Sequence, residues 1–272
     1  MSKAPIVICA IMKLEGKYIR EWCAFHRIAG VDKIYIYNNN VENDWEEALQ
    51  PFLEDGFVEV MDWPMESPCQ LQAYQNFINK HMGEDIWAAF IDCDEFLFAP
   101  QHSTLHAYFD QIPKSIAIGA NWCCFGSGDQ TEYSPQPVIE RFAYRTCDNE
   151  WNNSHIKSII RMNQQVQLLG TPHFFNVENK TWSTSGKEIN GPFSTHDSSY
   201  LRINHYKTKS KPEFIDRCKK AKKADIPNYV LNWEHYNSVQ AKAVHDITIQ
   251  KYLPQLKKYL EELNSKQLNF KF

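Results

Sequence analysis

At 272 residues the chain is long enough for one large α/β domain with an appended tail, and it can bury a sizeable core. Its 29 Lys and Arg against 33 Asp and Glu leave a formal charge of -4, so no global attraction to nucleic acid is expected and any electrostatic steering has to be local. Hydrophobic residues make up 43% but form no long apolar run, and the start, Met1 to Pro5, leads straight into a short apolar strand; neither a signal peptide nor a membrane span is expected, and the protein is read as cytoplasmic.

Pro5 to Met12 is a continuous apolar run, as in a strand covered on both faces. Tyr18 to Ala29 has helical apolar spacing closed by Gly30, and Lys33 to Tyr37 is a second strand stopped by Asn38-Asn39-Asn40, completing a right-handed βαβ unit. Asp44 to Leu53 reads as a helix capped by Asp44, Phe57 to Met61 as a third strand, and Cys69 to His81 as a helix leading into a fourth strand, Ile86 to Ile91. This alternation predicts a mostly parallel sheet. Beyond Pro100 the pattern weakens. Ser115 to Trp122, Pro137 to Arg145 and His155 to Met162 are strand candidates, and residues 174–199 read as a long polar loop. Helices are expected from Lys211 onward, the last over Val239 to Leu263 with a break or kink at Pro254. The eight cysteines include no Cys-x-x-Cys pair, so reduced, mostly buried thiols are expected rather than a zinc site.

The run Ala88-Ala89-Phe90-Ile91-Asp92-Cys93-Asp94-Glu95-Phe96 places three carboxylates directly after an apolar strand. If strand alternation continues, Asp92 and Asp94 converge on one side while Cys93 turns toward packing, and two hard oxygen donors suit Mg2+ or Mn2+. At the carboxyl end of a central parallel strand they would meet a nucleotide. The same tetrapeptide also occurs in solvated turns and helix caps.

Ile8-Cys9-Ala10-Ile11-Met12-Lys13-Leu14-Glu15, Tyr18 to Trp22, His26 and Gly30-Val31-Asp32, followed by Phe90 to Phe96, Phe125 to Gly128, Lys157 and His205-Tyr206-Lys207, together resemble family 92 glycosyltransferases and the related bacterial family-2-like group. The resemblance runs to about residue 220. Leu14 stands where that family usually has Asn, and many of its members are membrane-anchored. It implies a GT-A fold, α/β with a Rossmann-like mostly parallel sheet. The domain would span 1–210, with a nucleotide-sugar half over about 1–100 and an acceptor half over about 101–210, and 211–272 would form a helical region. It also implies metal-dependent, inverting transfer from a nucleotide sugar, with UDP-sugars favoured, to a glycan or lipid-linked acceptor.

In such a transfer, charge growing on the departing diphosphate has to be neutralised. Asp94 is then the expected main ligand of Mn2+ or Mg2+, with Asp92 on the ion or the donor ribose, and Glu95 orients the sugar or makes a structural hydrogen bond. His205, on the family's His-Tyr step, closes the metal site or is a packed core histidine; His173 is a second candidate for metal or acceptor. Lys157 touches the diphosphate or is a solvated strand lysine. Glu15 and Asn38 sit where nucleobase and ribose would be recognised, and Gln70 joins that pocket or caps a helix. For the base that takes the acceptor proton, Asp129 after Gly126-Ser127-Gly128, whose small residues would let backbone and acceptor come close, stands ahead of Glu132 and Asp197, though such an Asp also suits a plain turn. The basic run between Lys207 and Lys223 reads as a solvated helical face, or as a surface for an anionic acceptor or peripheral membrane contact. Two other readings stay open: a nucleotide- or sugar-binding module without turnover, and a Mg2+-dependent phosphohydrolase, which lacks a second acid cluster.

Overall fold

The computed structural model describes residues 3–40, 44–66, 68–113, 117–178, 180–220, 233–240 and 243–270. Strand β1 (Ile6–Met12) is buried along its whole length. Its alternate side chains enter different apolar layers: Ile6, Ile8, Ala10 and Met12 join the larger core, while Val7, Cys9 and Ile11 join the smaller one on the other face. Helix α1 (Gly16–Ala29) covers the larger layer and ends at Gly30, whose φ of 99° is the expected left-handed cap. Then follow β2 (Lys33–Asn38), α2 (Glu46–Glu54), β3 (Val58–Asp62), α3 (Gln70–His81) and β4 (Trp87–Phe90). These four strands pair in parallel in the order 3-2-1-4, as their alternation with helices predicts.

The second half extends the sheet by nonlocal pairing. It comprises β5 (Glu95–Phe98), α4 (Leu105–Phe109), β6 (Ala117–Cys124), α5 (Val138–Arg141), β7 (Tyr144–Arg145), β8 (Ile156–Arg161), β9 (Val166–Leu168), β10 (Phe175–Val177), β11 (Thr181–Ser183), β12 (Glu188–Ile189) and β13 (Arg202–His205). Strand β8 lies antiparallel between β4 and β6, while β13 runs parallel to β6 and antiparallel to β5. The outcome is a mixed α/β architecture with a large, mostly parallel central sheet. Helices α6 (Lys211–Lys220) and α7 (Trp233–Asn237), strand β14 (Val244–His245) and helix α8 (Leu253–Phe270) complete the chain. No helix among the described residues is long and apolar enough to cross a membrane.

Four sequence expectations change. Pro137 to Arg145 is not one strand: Glu21 accepts the free N–H groups of Val138 and Ile139 at 2.8 and 3.3 Å, which starts the short helix α5 before the two residues of β7. Residues 174–199 contain β10, β11 and β12, each only two or three residues long; β10 pairs with the neighbouring β9, β12 with β11, and β11 also with the distant β6. Asp44 does not cap α2, which begins at Glu46; it packs against Gly16, where an added Cβ would come within 2.6 Å of its carboxylate. Pro254 lies in the first turn of α8, where its missing N–H costs nothing, so it opens that helix instead of breaking it.

Helix α1 also fixes β5. The Trp22 indole N–H donates to the Glu95 carbonyl at 2.7 Å, and His26 Nε2 accepts the Leu97 N–H at 3.1 Å. His26 Nδ1, 2.9 Å from the Trp22 carbonyl, must then carry the proton. Burial of this ring lowers its pKa to about 3. The ring is neutral in the fold but protonated below about pH 6.5 in the unfolded chain, so its contribution to stability is lost as pH falls from there toward 3, by about 1.4 kcal/mol per unit. In nitrogen-resolved imidazole spectra of the folded protein, His26 should remain the neutral Nδ1–H form down to about pH 4; a midpoint near 6.5 with the fold intact would contradict this packing.

Candidate functional site

Strand β4 stops at Phe90, so Asp92, Cys93 and Asp94 lie on a turn rather than on a continued strand. Glu95 closes it at both ends: its N–H donates to the Asp92 carbonyl at 3.0 Å, and its carboxylate accepts the Asp92 N–H at 3.0 Å. Cys93 turns inward as expected, its thiol 3.6 Å from the Ile11 carbonyl. The turn aims the two aspartates at different hydrogen-bond partners, although each lies close enough to act on the other's charge. Asp92 accepts from Lys157 at 2.9 Å and from Gln70 at 2.8 Å. Asp94 accepts from Arg217 at 2.9 Å and lies 3.4 Å from His205 Nε2.

This turn sits at the carboxyl ends of β1 and β4 and carries a buried charge network. Lys157, on β8, is fully buried between Asp92 and Glu95, the latter at 3.6 Å. Burial works against its charge, but Asp92 first and Glu95 next more than offset that and raise its pKa. Burial also opposes ionisation of Asp92, yet Lys157 leaves that carboxyl below its ordinary range. Asp94 is held well below, burial being overcome by His205 and Arg217. At Glu95 burial wins and pushes the carboxyl up. Burial likewise outweighs Asp94 at His205 and lowers its pKa, favouring the neutral imidazole.

Arg217 reaches from α6 to both Asp94 and Glu15, the latter at 3.4 Å. Lys209 lies 3.9 Å from Glu15, with its ammonium 4.2 Å from the centre of the Tyr18 ring. Leu14, Glu15 and Tyr18 on one side and Lys207, Lys209 and Arg217 on the other line an open cleft. Leu14 and Lys209, with φ of 60° and 54°, both carry left-handed backbone unusual for such side chains.

The sequence candidates distribute unevenly around this cleft. Glu15, Gln70, Asp92, Asp94, Lys157 and His205 come together. Gln70 holds Asp92 and the Tyr74 hydroxyl and makes no cap, and Lys157 is the reverse of a solvated strand lysine. Asn38, at the end of β2, donates to Asp62 at 3.3 Å and accepts the Asn40 N–H at 3.1 Å. His173 packs against Trp122 with Nδ1 3.0 Å from the Ile156 carbonyl, and burial lowers its pKa to about 3. Asp129 and Glu132 are exposed on the loop after β6, Asp129 in a turn with φ of 63°. Gly126 is small for an internal reason: a Cβ there would meet the Val239 carbonyl at 2.3 Å. Asp197 accepts the Ser185 N–H at 2.8 Å.

A model of glycosyltransferase family 92 matches residues 5–260. The chain belongs to this family. It is 24% identical over 244 residues to a family 92 protein of Ricinus communis, covering 86% of this chain and 40% of that protein. To a family 92 protein of Oryza sativa subsp. japonica it is 25% identical, over 86% of this chain and 38% of the relative. For one of Arabidopsis thaliana the figures are 23%, 88% and 41%. The chain thus spans about two fifths of the length of the curated relatives it matches. The family match passes residue 210 and takes in α6, whose Arg217 completes the charge network.

Arg217 and Lys209 belong to the basic run whose charge pattern reads as a solvated helical face. Lys207 and Lys209 are buried, and Lys207 donates to Asn152 at 3.2 Å, so these two are not part of a solvated helical face. Lys222 and Lys223, and the side chains of Lys219 and Lys220, lie outside the described residues.

The network predicts that Lys157→Met destabilises the protein by roughly 2–4 kcal/mol, below the full cost of breaking a buried pair because 34% of the Asp92 side chain remains exposed. A denaturant titration losing under about 1 kcal/mol would show that water already screens the pair. Leu14→Asn, which puts a residue tolerant of left-handed backbone where φ is 60°, should raise stability by about 0.5–1 kcal/mol. A fall in the urea midpoint would mean that Leu14 packing outweighs the relief of strain.

Proposed function

We propose that this chain transfers a sugar from a nucleotide sugar to a glycan acceptor, with a GT-A fold, inversion at the anomeric carbon and UDP-sugars as donors. The observation that carries the reading is the Asp94–His205 approach at 3.4 Å, inside a ring of cations at the carboxyl ends of β1 and β4 in a family 92 chain. As the acceptor oxygen attacks, the bond from the anomeric carbon to the diphosphate oxygen breaks, negative charge collects on the diphosphate, and a proton leaves the acceptor hydroxyl. Arg217 and Lys209 are placed to draw in the diphosphate, and Lys157 keeps Asp92 ionised and fixed. Glu15, Asn38 and Gln70 would flank the nucleoside, and Asp129, with Glu132 beside it, would take the acceptor proton.

The donor set suits a divalent ion in part. Among the described residues no group of three or more His, Cys, Asp and Glu forms a metal site. His205 and Asp94, however, are spaced wider than a good hydrogen bond, and the buried His205 Nδ1 has no hydrogen-bond partner among the described residues. Asp92 is already committed to Lys157 and Gln70. Asp94 and His205 would therefore hold the ion, with Asp92 nearest to the donor, and Mn2+ or Mg2+ would supply further neutralisation of the diphosphate.

Thermal shift with UDP, GDP and CMP, each with and without Mn2+, tests this reading, since a ligand of the folded state raises the melting point by mass action. UDP with Mn2+ should stabilise the wild type and should fail with Asp94→Asn or His205→Ala. Asp129→Asn should bind UDP normally yet transfer at least 100-fold more slowly. Silence with all three nucleotides would remove the donor assignment, and equal, metal-independent shifts in wild type and Asp94→Asn would remove the ion.

A further inference from the structure

Two aromatic rings stand in water without a fold-level reason. Trp151 is 62% exposed and Phe193 43%, and their ring centres lie 4.8 Å apart. Apolar faces of this size normally seek cover, so a pair held open side by side points to a ligand.

Their mounting is rigid. Trp151 begins a 3-10 turn, Trp151–Ser154, pinned by the fully buried Asn153, which accepts the Cys124 N–H at 2.8 Å and donates to the Cys147 carbonyl at 2.8 Å. Phe193 is bridged through its backbone to His155, flanked by Ile156 N–H to the Pro192 carbonyl at 3.1 Å and Ser194 N–H to the Ser154 carbonyl at 2.9 Å. The rings are thus pre-organised, which reduces the ordering entropy that a binding partner must overcome.

The pair is also the outer end of a file of rings that begins at the acid turn. His205 lies 4.4 Å from Trp122, Trp122 stacks on His155 at 4.7 Å and 15°, and His155 meets Phe193 edge-on at 4.8 Å. Trp122 is nine-tenths buried, and its indole N–H has no hydrogen-bond partner among the described residues. Burial lowers the pKa of His155, which joins Trp122 to Phe193, favouring its neutral form, with the Lys207 and Lys157 charges acting in the same direction. Asn152, next to Trp151, accepts a hydrogen bond from Lys207 on the cleft wall, giving the platform a polar edge tied to the cleft.

We infer that Trp151 and Phe193 form an acceptor subsite, a stacking platform for a pyranose ring of the acceptor glycan, with Trp122 supplying a hydrogen-bond donor deeper in the file. This inference rests on the glycosyl-transfer reading and names where its acceptor is held. A pyranose offers an apolar C–H face that lies flat on an aromatic ring and a hydroxyl rim for the polar edge, so it matches both halves of this surface. The exposed rings themselves carry no charge, which suits an uncharged sugar, while Lys207 stands at the Asn152 edge.

The test uses the whole chain, fluorescently labelled, on an array of neutral and acidic oligosaccharides, beside the UDP and Mn2+ thermal shift of the wild type. Wild type should bind neutral glycans, Trp151→Ala and Phe193→Ala should weaken that binding at least tenfold, and Trp151→Tyr should keep most of it. Melting points of the variants report folding separately, and two altered rings guard against one variant failing to fold. A wild type that shifts with UDP but binds no glycan overturns the subsite and leaves the donor reading standing; no shift with any nucleotide counts against the donor reading itself. Glycan binding unchanged in Trp151→Ala also overturns it. So does a wild-type dimer that Trp151→Ala converts to monomer, or flotation with phosphatidylserine vesicles that Trp151→Ala abolishes, since either gives the rings another occupant.

Discussion

Burying a turn that carries Asp92, Asp94 and Glu95 beside Glu15 is the constraint on which this structure depends. Isolated carboxylates removed from water cost several kcal/mol each, so the turn exists only because cations are delivered to it. They come from far along the chain: Lys157 lies 65 residues from Asp92, and Arg217 lies 123 residues from Asp94. Sheet closure by β8 and the docking of α6 are therefore conditions for the site to form, not additions to a finished nucleotide-binding half. Helix α1 contributes the neutral share, holding the Glu95 carbonyl through Trp22 and the Leu97 N–H through His26.

The first hundred residues were largely legible because each strand there is a self-contained apolar run bounded by turn residues, and β1 to β4 need only the standard parallel crossover. The second half was not, because its strands are short and take their identity from partners: β11 has three residues and becomes a strand by pairing with β6. The site divides the same way. Asp92 and Asp94 carried a visible pattern, whereas His205 and Lys157 stood out only through family resemblance. Arg217 and Lys209 sit in a lysine-rich stretch whose composition speaks for solvent, and no local signal marks the two that turn inward. Gly126 shows the opposite error. Its smallness suggested room for an acceptor, whereas the Val239 backbone already occupies that space.

Strain is concentrated on the cleft walls. Leu14 and Lys209 both line the opening, both in left-handed backbone, and both are held there by polar contacts. Leu14 donates its N–H to Asn40, and Lys209 sets its ammonium beside Glu15 and over Tyr18. Such conformations persist only where the surroundings over-determine them. Here the surroundings are the charge network itself, so the geometry of the cleft and the burial of the carboxylates sustain each other.

Strand β13 joins the two chemical halves. It lies between β5 and β6, and its end is locked on both sides: the Tyr206 N–H donates to the Asp94 carbonyl at 3.0 Å, and the Phe125 N–H donates to the His205 carbonyl at 3.0 Å. His205 therefore faces Asp94 on one side and Trp122 on the other. A shift of β13 by one residue would turn its side chain to the opposite face of the sheet. Both the approach to the acid turn and the head of the aromatic file would be lost at once. The pairing register of one four-residue strand thus sets the relation between the charged cleft and the apolar platform, which is the relation a transfer between a diphosphate-linked donor and a stacked acceptor requires.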